Sequence, residues 1–99
     1  MAIFKIFRAA EWAAFEAAGV FAGSADDLRD GFLHLSTDEQ LEGTLARHFT
    51  GEAGLVVAEV DVAGDADLRW EVSRGGARFP HLYRALRRAD VVRDFPSPG

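Results

Sequence analysis

Ninety-nine residues leave room for one domain spanning 1–99, and a formal net charge of −5 argues against a general electrostatic grip on nucleic acid. The absence of cysteine removes disulfides, thiolate nucleophiles and zinc–thiolate sites, and it fits a reducing compartment. A hydrophobic fraction of 48% with eight Phe supports a globular core, while no apolar run approaches the roughly 20 residues of a membrane span.

Met1–Ile6 is too short and too quickly charged for a signal peptide, so the chain reads as soluble and cytoplasmic. Ile3–Phe7 is the first predicted strand, with Lys5 at its centre. Glu11–Ala18 is an Ala-rich helix with Trp12 and Phe15 on one face and Gly19 as its stop. A short extended piece, Val20–Ala22, precedes Ser24–Arg29, which opens with the cap signal Ser-x-x-Asp and ends at Asp30–Gly31. Phe32–Ser36 is the second strand. Thr37–Phe49 is the strongest helix, because Leu41, Thr44, Leu45, His48 and Phe49 form one stripe.

After a loop at residues 50–54, Leu55–Val62 is a Val-rich strand with Val56, Ala58, Val60 and Val62 assigned to the buried face. Leu68–Ser73 alternates again, placing Leu68, Trp70 and Val72 inward and Arg69, Glu71 and Ser73 on the other face. Arg74–Gly76 is a turn. Arg78–Tyr83 is an extended segment stiffened by Pro80, Val91–Phe95 is the last strand, and residues 96–99 should fray. Helices early and strands late indicate an α+β domain of about six strands and two or three helices rather than repeated βαβ units. The expected core includes Trp12, Phe15, Leu41, Leu45, Val56, Val60 and Trp70.

The chemistry concentrates at Gly31-Phe32-Leu33-His34-Leu35-Ser36. Strand alternation turns His34 and Ser36 to one side, their Cα atoms about 6.5 Å apart. Ser36 with Glu39, or Thr37 with Gln40, makes a capping box that starts the next helix. An imidazole, which titrates near neutral pH, and a hydroxyl thus stand ahead of a helix N-terminus, where an anion is favoured. They either bind a ribose, phosphate or carboxylate, or serve only to cap the helix and bond a backbone carbonyl. Arg78, His81 and Tyr83 cluster around Pro80 after a Gly–Gly hinge, and His81 and Tyr83 share one parity; either they join a site or they form a surface connection. Glu71 is either a general base or ribose ligand, or half of a surface ion pair. None of His34, His48 and His81 is spaced as a metal motif, so no metal is expected. Seven of the eleven basic residues lie from Arg69 onward, giving either a local positive surface or solvated strand and turn residues.

The order Phe4-Lys5-Ile6, Glu11-Trp12, Gly31–Ser36 with Gln40, Leu68-Arg69-Trp70-Glu71 and Arg78–Tyr83 resembles the small bacterial domain-of-unknown-function family 952, from Ile3 to Asp94. That family is grouped with the ADP-ribosyltransferase-like superfamily. Phe32–Ser36 looks like the His-x-Ser strand of the RNA 2′-phosphotransferases in that group. The resemblance implies an ADP-ribosyltransferase-like fold and a pocket for NAD or ADP-ribose. His34 and Glu71 would then be catalytic, with Lys5, Ser36, Thr37, Gln40, Arg78, His81 and Tyr83 binding ligand. Where those phosphotransferases carry a His-Gly-Thr-like motif on the first strand, this chain has Phe4-Lys5-Ile6-Phe7. That departure keeps two other readings open: a non-catalytic nucleotide or anion-binding module, and a protein-interaction domain anchored by Phe79, His81 and Tyr83.

Overall fold

The structure is a computed structural model that describes residues 1–97. Its centre is a four-stranded sheet in the order β4-β1-β5-β9, formed by Ser36–Thr37, Ile3–Phe7, Val56–Val60 and Val91–Pro96. β1 pairs antiparallel with both β4 and β5, and β5 with β9, with a bulge at Glu59/Val60. β1 is buried along its whole length because the sheet is covered on both faces. Ile3 and Phe7 enter one core with Trp12, Phe15, Phe21 and Leu33. Phe4 and Ile6 enter a second with Leu55 and Val57. Lys5 has the parity of Ile3 and Phe7, so its side chain is carried into the interior.

The first core is closed by α1 (Ala9–Ala18), which begins two residues earlier than its sequence signals suggest. Phe7 stacks on Phe15 at 5.5 Å and meets Trp12 and Phe21 edge-on at 5.1 and 5.0 Å. α2 (Ala25–Asp30) is started by Ser24, whose Oγ accepts from the Asp27 N–H, while Asp27 Oδ2 accepts from the Ser24 N–H. α3 (Asp38–His48) is started by Thr37 and Gln40, which settles the two capping boxes that the sequence allows. Leu41 and Leu45 of α3 and Phe49, which caps its C-terminus, pack on the second core and are only partly buried.

A second sheet has the order β3-β7-β6, formed by Leu33–His34, Arg78–Leu82 and Leu68–Val72. β2 (Val20–Phe21) and β8 (Leu86–Arg87) make a short ribbon. The described residues therefore form nine strands, several of only two residues, and three α-helices. The expected count of six strands is too low because Phe32–Ser36 splits at Leu35 into strands of different sheets and because β2 and β8 add a ribbon of two-residue strands. Leu35 donates its N–H to the Pro80 carbonyl, and Ser36 moves on to pair with Phe4.

Two expectations of burial and one of fraying need correction. Trp70 and Val72 are exposed, at 37% and 61%, because β6 is an edge strand that overhangs the core. Val56 is only half-buried while Val57 is fully buried, because β5 serves both cores and alternation cannot select one face. Pro96 pairs with Val56 and the Ser97 N–H bonds Leu55, so the chain is held to that point; the expected fraying of residues 98–99 lies outside the described residues. The late arginines are mostly engaged: Arg84 with Asp65 and Asp90, Arg93 with Glu59, and Arg88 over the Trp12 ring. No helix among the described residues is long and apolar enough to cross a membrane.

Candidate functional site

A cleft of about 460 Å³ opens between α2, α3 and the strands that carry Lys5, His34, Ser36 and His81. Its size falls in the range of small-molecule sites.

One wall is built on a buried ion pair. Lys5 Nζ donates to Asp27 Oδ2 at 2.8 Å and to the His34 carbonyl at 3.3 Å. Asp27 Oδ1 accepts from the His34 N–H at 3.1 Å and faces His34 Nδ1 at 2.6 Å. Asp27 thus uses both oxygens: one holds the strand-borne lysine and its own helix cap, the other holds the backbone and ring of His34. Burial pushes the Asp27 carboxyl up, but the hydrogen bond from His34 and the charge of Lys5 outweigh it and hold the group well below the ordinary carboxylate range. On its far side His34 Nε2 meets Asp30 Oδ2 at 2.9 Å. Both ring partners are carboxylates, so both bonds form together only with the doubly protonated ring.

A second group stands beside it. β3 pairs with β7 so that His34 lies opposite His81, their ring centroids 5.8 Å apart. Phe32 stacks on His81 at 4.0 Å and touches His34 at 4.6 Å. Glu71 of β6 faces His81 Nδ1 at 2.8 Å and accepts from the Tyr83 hydroxyl at 2.6 Å through the same oxygen. The Tyr83 and His81 bonds hold the Glu71 carboxyl below its usual range, and the same carboxylate pushes the Tyr83 hydroxyl up.

Near the start of α3, Ser36 Oγ lies 3.0 Å from Thr44 Oγ1, which in turn bonds the Gln40 carbonyl at 3.0 Å. Gln40 Nε2 donates to the Arg78 carbonyl at 2.7 Å, tying α3 to β7. Asp38 and Glu39 in the first turn of α3 offset the pull of this helix end on an anion.

Of the residues singled out from the sequence, Lys5, His34, Ser36, Gln40 and His81 line the cleft together. Glu71 and Tyr83 stand behind His81, Thr37 is occupied as the helix cap, and the Arg78 guanidinium lies along β6 with a 3.4 Å contact to the Trp70 carbonyl. Asp27 and Asp30 were missed as parts of the site. Asp27 reads as a cap, which it is; the signal for more is Lys5, whose parity with Ile3 and Phe7 demands a buried acid. Arg8, Arg29 and Arg47, far apart in sequence, also reach the cleft. Among the described residues no three metal-ligating side chains are grouped to hold an ion.

The molecule is thus a small α+β domain with a two-histidine cleft between a helix pair and two sheets. The chain belongs to the family described as protein of unknown function (DUF952), whose pattern it matches over residues 6–94. It is similar to CC0527 from Caulobacter crescentus, at 52% identity. The crystal structure of that protein covers 97% of this chain and 85% of its own, with a TM-score of 0.92. The solution structure of CC0527 gives a TM-score of 0.86 over 96% and 83% of the two chains. No curated protein matches the chain.

Proposed function

We propose that the cleft binds a nucleotide of the NAD or ADP-ribose kind and that the domain, ADP-ribosyltransferase-like, transfers a group from it. The observation that carries this reading is the paired imidazoles of His34 and His81, each oriented by its own carboxylate, on the wall of a ligand-sized cleft. An imidazole fixed by a buried aspartate is the arrangement general acid–base chemistry needs, because the ring's direction is set before ligand arrives. In this reading His34 moves a proton at Nε2 once Asp30 swings aside. Glu71, held with Tyr83 behind His81, acts on the ribose through the His81 ring that it orients. Ser36 and Gln40, which line the cleft beside α3, meet the phosphates, while Thr37, taken up as the helix cap, and Arg78, turned along β6, take no direct part. Lys5 contributes at second hand, through Asp27.

A non-catalytic nucleotide- or anion-binding module is the second reading. It is favoured by the Asp30 bond, which leaves His34 no bare ring nitrogen in this conformation.

Calorimetric titration with NAD and with ADP-ribose tests binding, and chromatography for released nicotinamide tests transfer. The transferase reading expects saturable binding and nicotinamide release, both lost in His34→Ala, with binding also weakened in His81→Ala and far-UV circular dichroism unchanged. Binding without release selects the module. No heat with either ligand refutes both readings.

A further inference from the structure

We infer that β6 is the self-association edge of this protein, pairing antiparallel with β6 of a second copy about a two-fold axis at Trp70. This inference does not depend on what the cleft binds.

β6 ends its sheet, so one side of the strand has no partner strand. The bonds it makes to β7 identify which groups face outward. The Tyr83 N–H bonds the Asp67 carbonyl and the Ser73 N–H bonds the Ala77 carbonyl, so the odd residues of β6 face β7. The main-chain groups of Leu68, Trp70 and Val72 therefore point away from the sheet. The Leu68 N–H is already taken by Asp65, and the Trp70 carbonyl receives the long contact from Arg78 but has a second lone pair.

The sequence of this edge, Leu68-Arg69-Trp70-Glu71-Val72, complements itself when reversed. Centring the axis on Trp70 sets Trp70 against its counterpart and Leu68 against Val72 of the second copy, both as hydrogen-bonded pairs. The outward groups then supply about four main-chain bonds. In the same register Arg69 falls directly opposite Glu71 of the second copy, twice, on the face that carries His81 and Tyr83. Opposite charges directly across a strand pair are stabilising, and shifting the register by one residue loses both pairs and turns the outward groups out of phase. The tryptophan and valine that this contact covers are among the large apolar side chains the monomer leaves exposed. The remaining long edge, β9, is blunted by its bulge and by Pro96, devices that discourage edge pairing; β6 has neither. The second copy would also bring an arginine to Glu71, beside the cleft.

Sedimentation equilibrium up to about 1 mM protein measures the association. Wild type is expected to approach twice its 10.8 kDa mass. Arg69→Glu and Glu71→Arg each place like charges opposite one another and should raise the dissociation constant about tenfold or more. Mixing the two variants restores both opposite-charge pairs, so the mixture should dimerise while each alone does not. Trp70→Pro, which removes an outward N–H and leaves the β7 ladder intact, should also give monomer, and it serves if Glu71→Arg fails the circular-dichroism check of folding. Monomeric wild type throughout the range overturns the proposal. So does a dimer indifferent to Arg69→Glu, or a mixture of two folded variants that stays monomeric.

Discussion

Replacing Asp27 by Asn tests the physical basis of the site more directly than any change to the histidines. The carboxylate receives four donors: Lys5 Nζ, the Ser24 and His34 N–H groups, and His34 Nδ1. An amide has one acceptor oxygen. Keeping it toward His34 turns the NH₂ toward Lys5 Nζ and the Ser24 N–H, both within 3 Å of the present oxygen. The lysine, 5% exposed, then keeps only the 3.3 Å bond to the His34 carbonyl. Breaking a buried pair from one side costs about 3–5 kcal/mol, a large part of the roughly 5–15 kcal/mol that holds a domain together. Urea denaturation measures the loss. Lys5→Met combined with Asp27→Asn removes the stranded charge, so the double variant should lose less than the sum of the singles. The sign of the pH effect follows from the carboxyl, which is held below its ordinary value near 3.8. A folded-state value below the unfolded one means the stabilisation is complete above the unfolded value and is lost as the pH falls beneath it. Wild type should therefore weaken below about pH 4 more steeply than Asp27→Asn. A cost under about 1 kcal/mol, with an unchanged acid limb, would refute the idea that this pair anchors the fold.

Gly23 sits at φ +136°, and a Cβ there would stand 2.7 Å from the Asp27 Cβ. Gly23→Ala should cost about 1–3 kcal/mol in urea and displace the His34 ring resonances in NMR spectra. Val60→Ala in the first core should cost about 1–3 kcal/mol by the same denaturation, and a loss below about 0.5 kcal/mol would show that β5 is not central. Arg84 joins Asp65 and Asp90 through both ends of its guanidinium, so Arg84→Met should cost about 2 kcal/mol and lower the melting temperature measured by calorimetry.

The strands that carry the two histidines were legible because each is governed by a local rule. Leu33 and Leu35 alternate with His34 and Ser36; both leucines are buried, and both polar residues line the cleft. His81 and Tyr83 share a parity, and both reach the same oxygen of Glu71. The caps at Ser24 and Thr37 were equally local. What stayed hidden depends on which elements end up covered. Trp70 looks like core in any window of sequence, and it is exposed only because β6 is last in its sheet. Val57 defeats alternation because helices cover both faces of the central sheet. The Lys5–Asp27 pair spans 22 positions, and no periodicity connects a mid-strand lysine to a helix-cap aspartate.

The two imidazoles are held by unlike means, and this separates stability from function. Asp27 is buried and shared among a strand lysine, a helix cap and His34, so the ring inherits the rigidity of the fold and cannot be released without straining the interior. Glu71 is partly open to solvent, at the margin of the second sheet, and holds His81 and Tyr83 without a buried counterion. Changes at Asp27 must therefore lower stability and disturb the cleft together. Changes at Glu71 can turn His81 and Tyr83 while the core stays intact. Glu71→Gln is expected to keep its urea midpoint and circular-dichroism spectrum while changing the His81 ring resonances. A midpoint lowered as far as that of Asp27→Asn would mean that both acids belong to the scaffold, and the distinction drawn between them would fall.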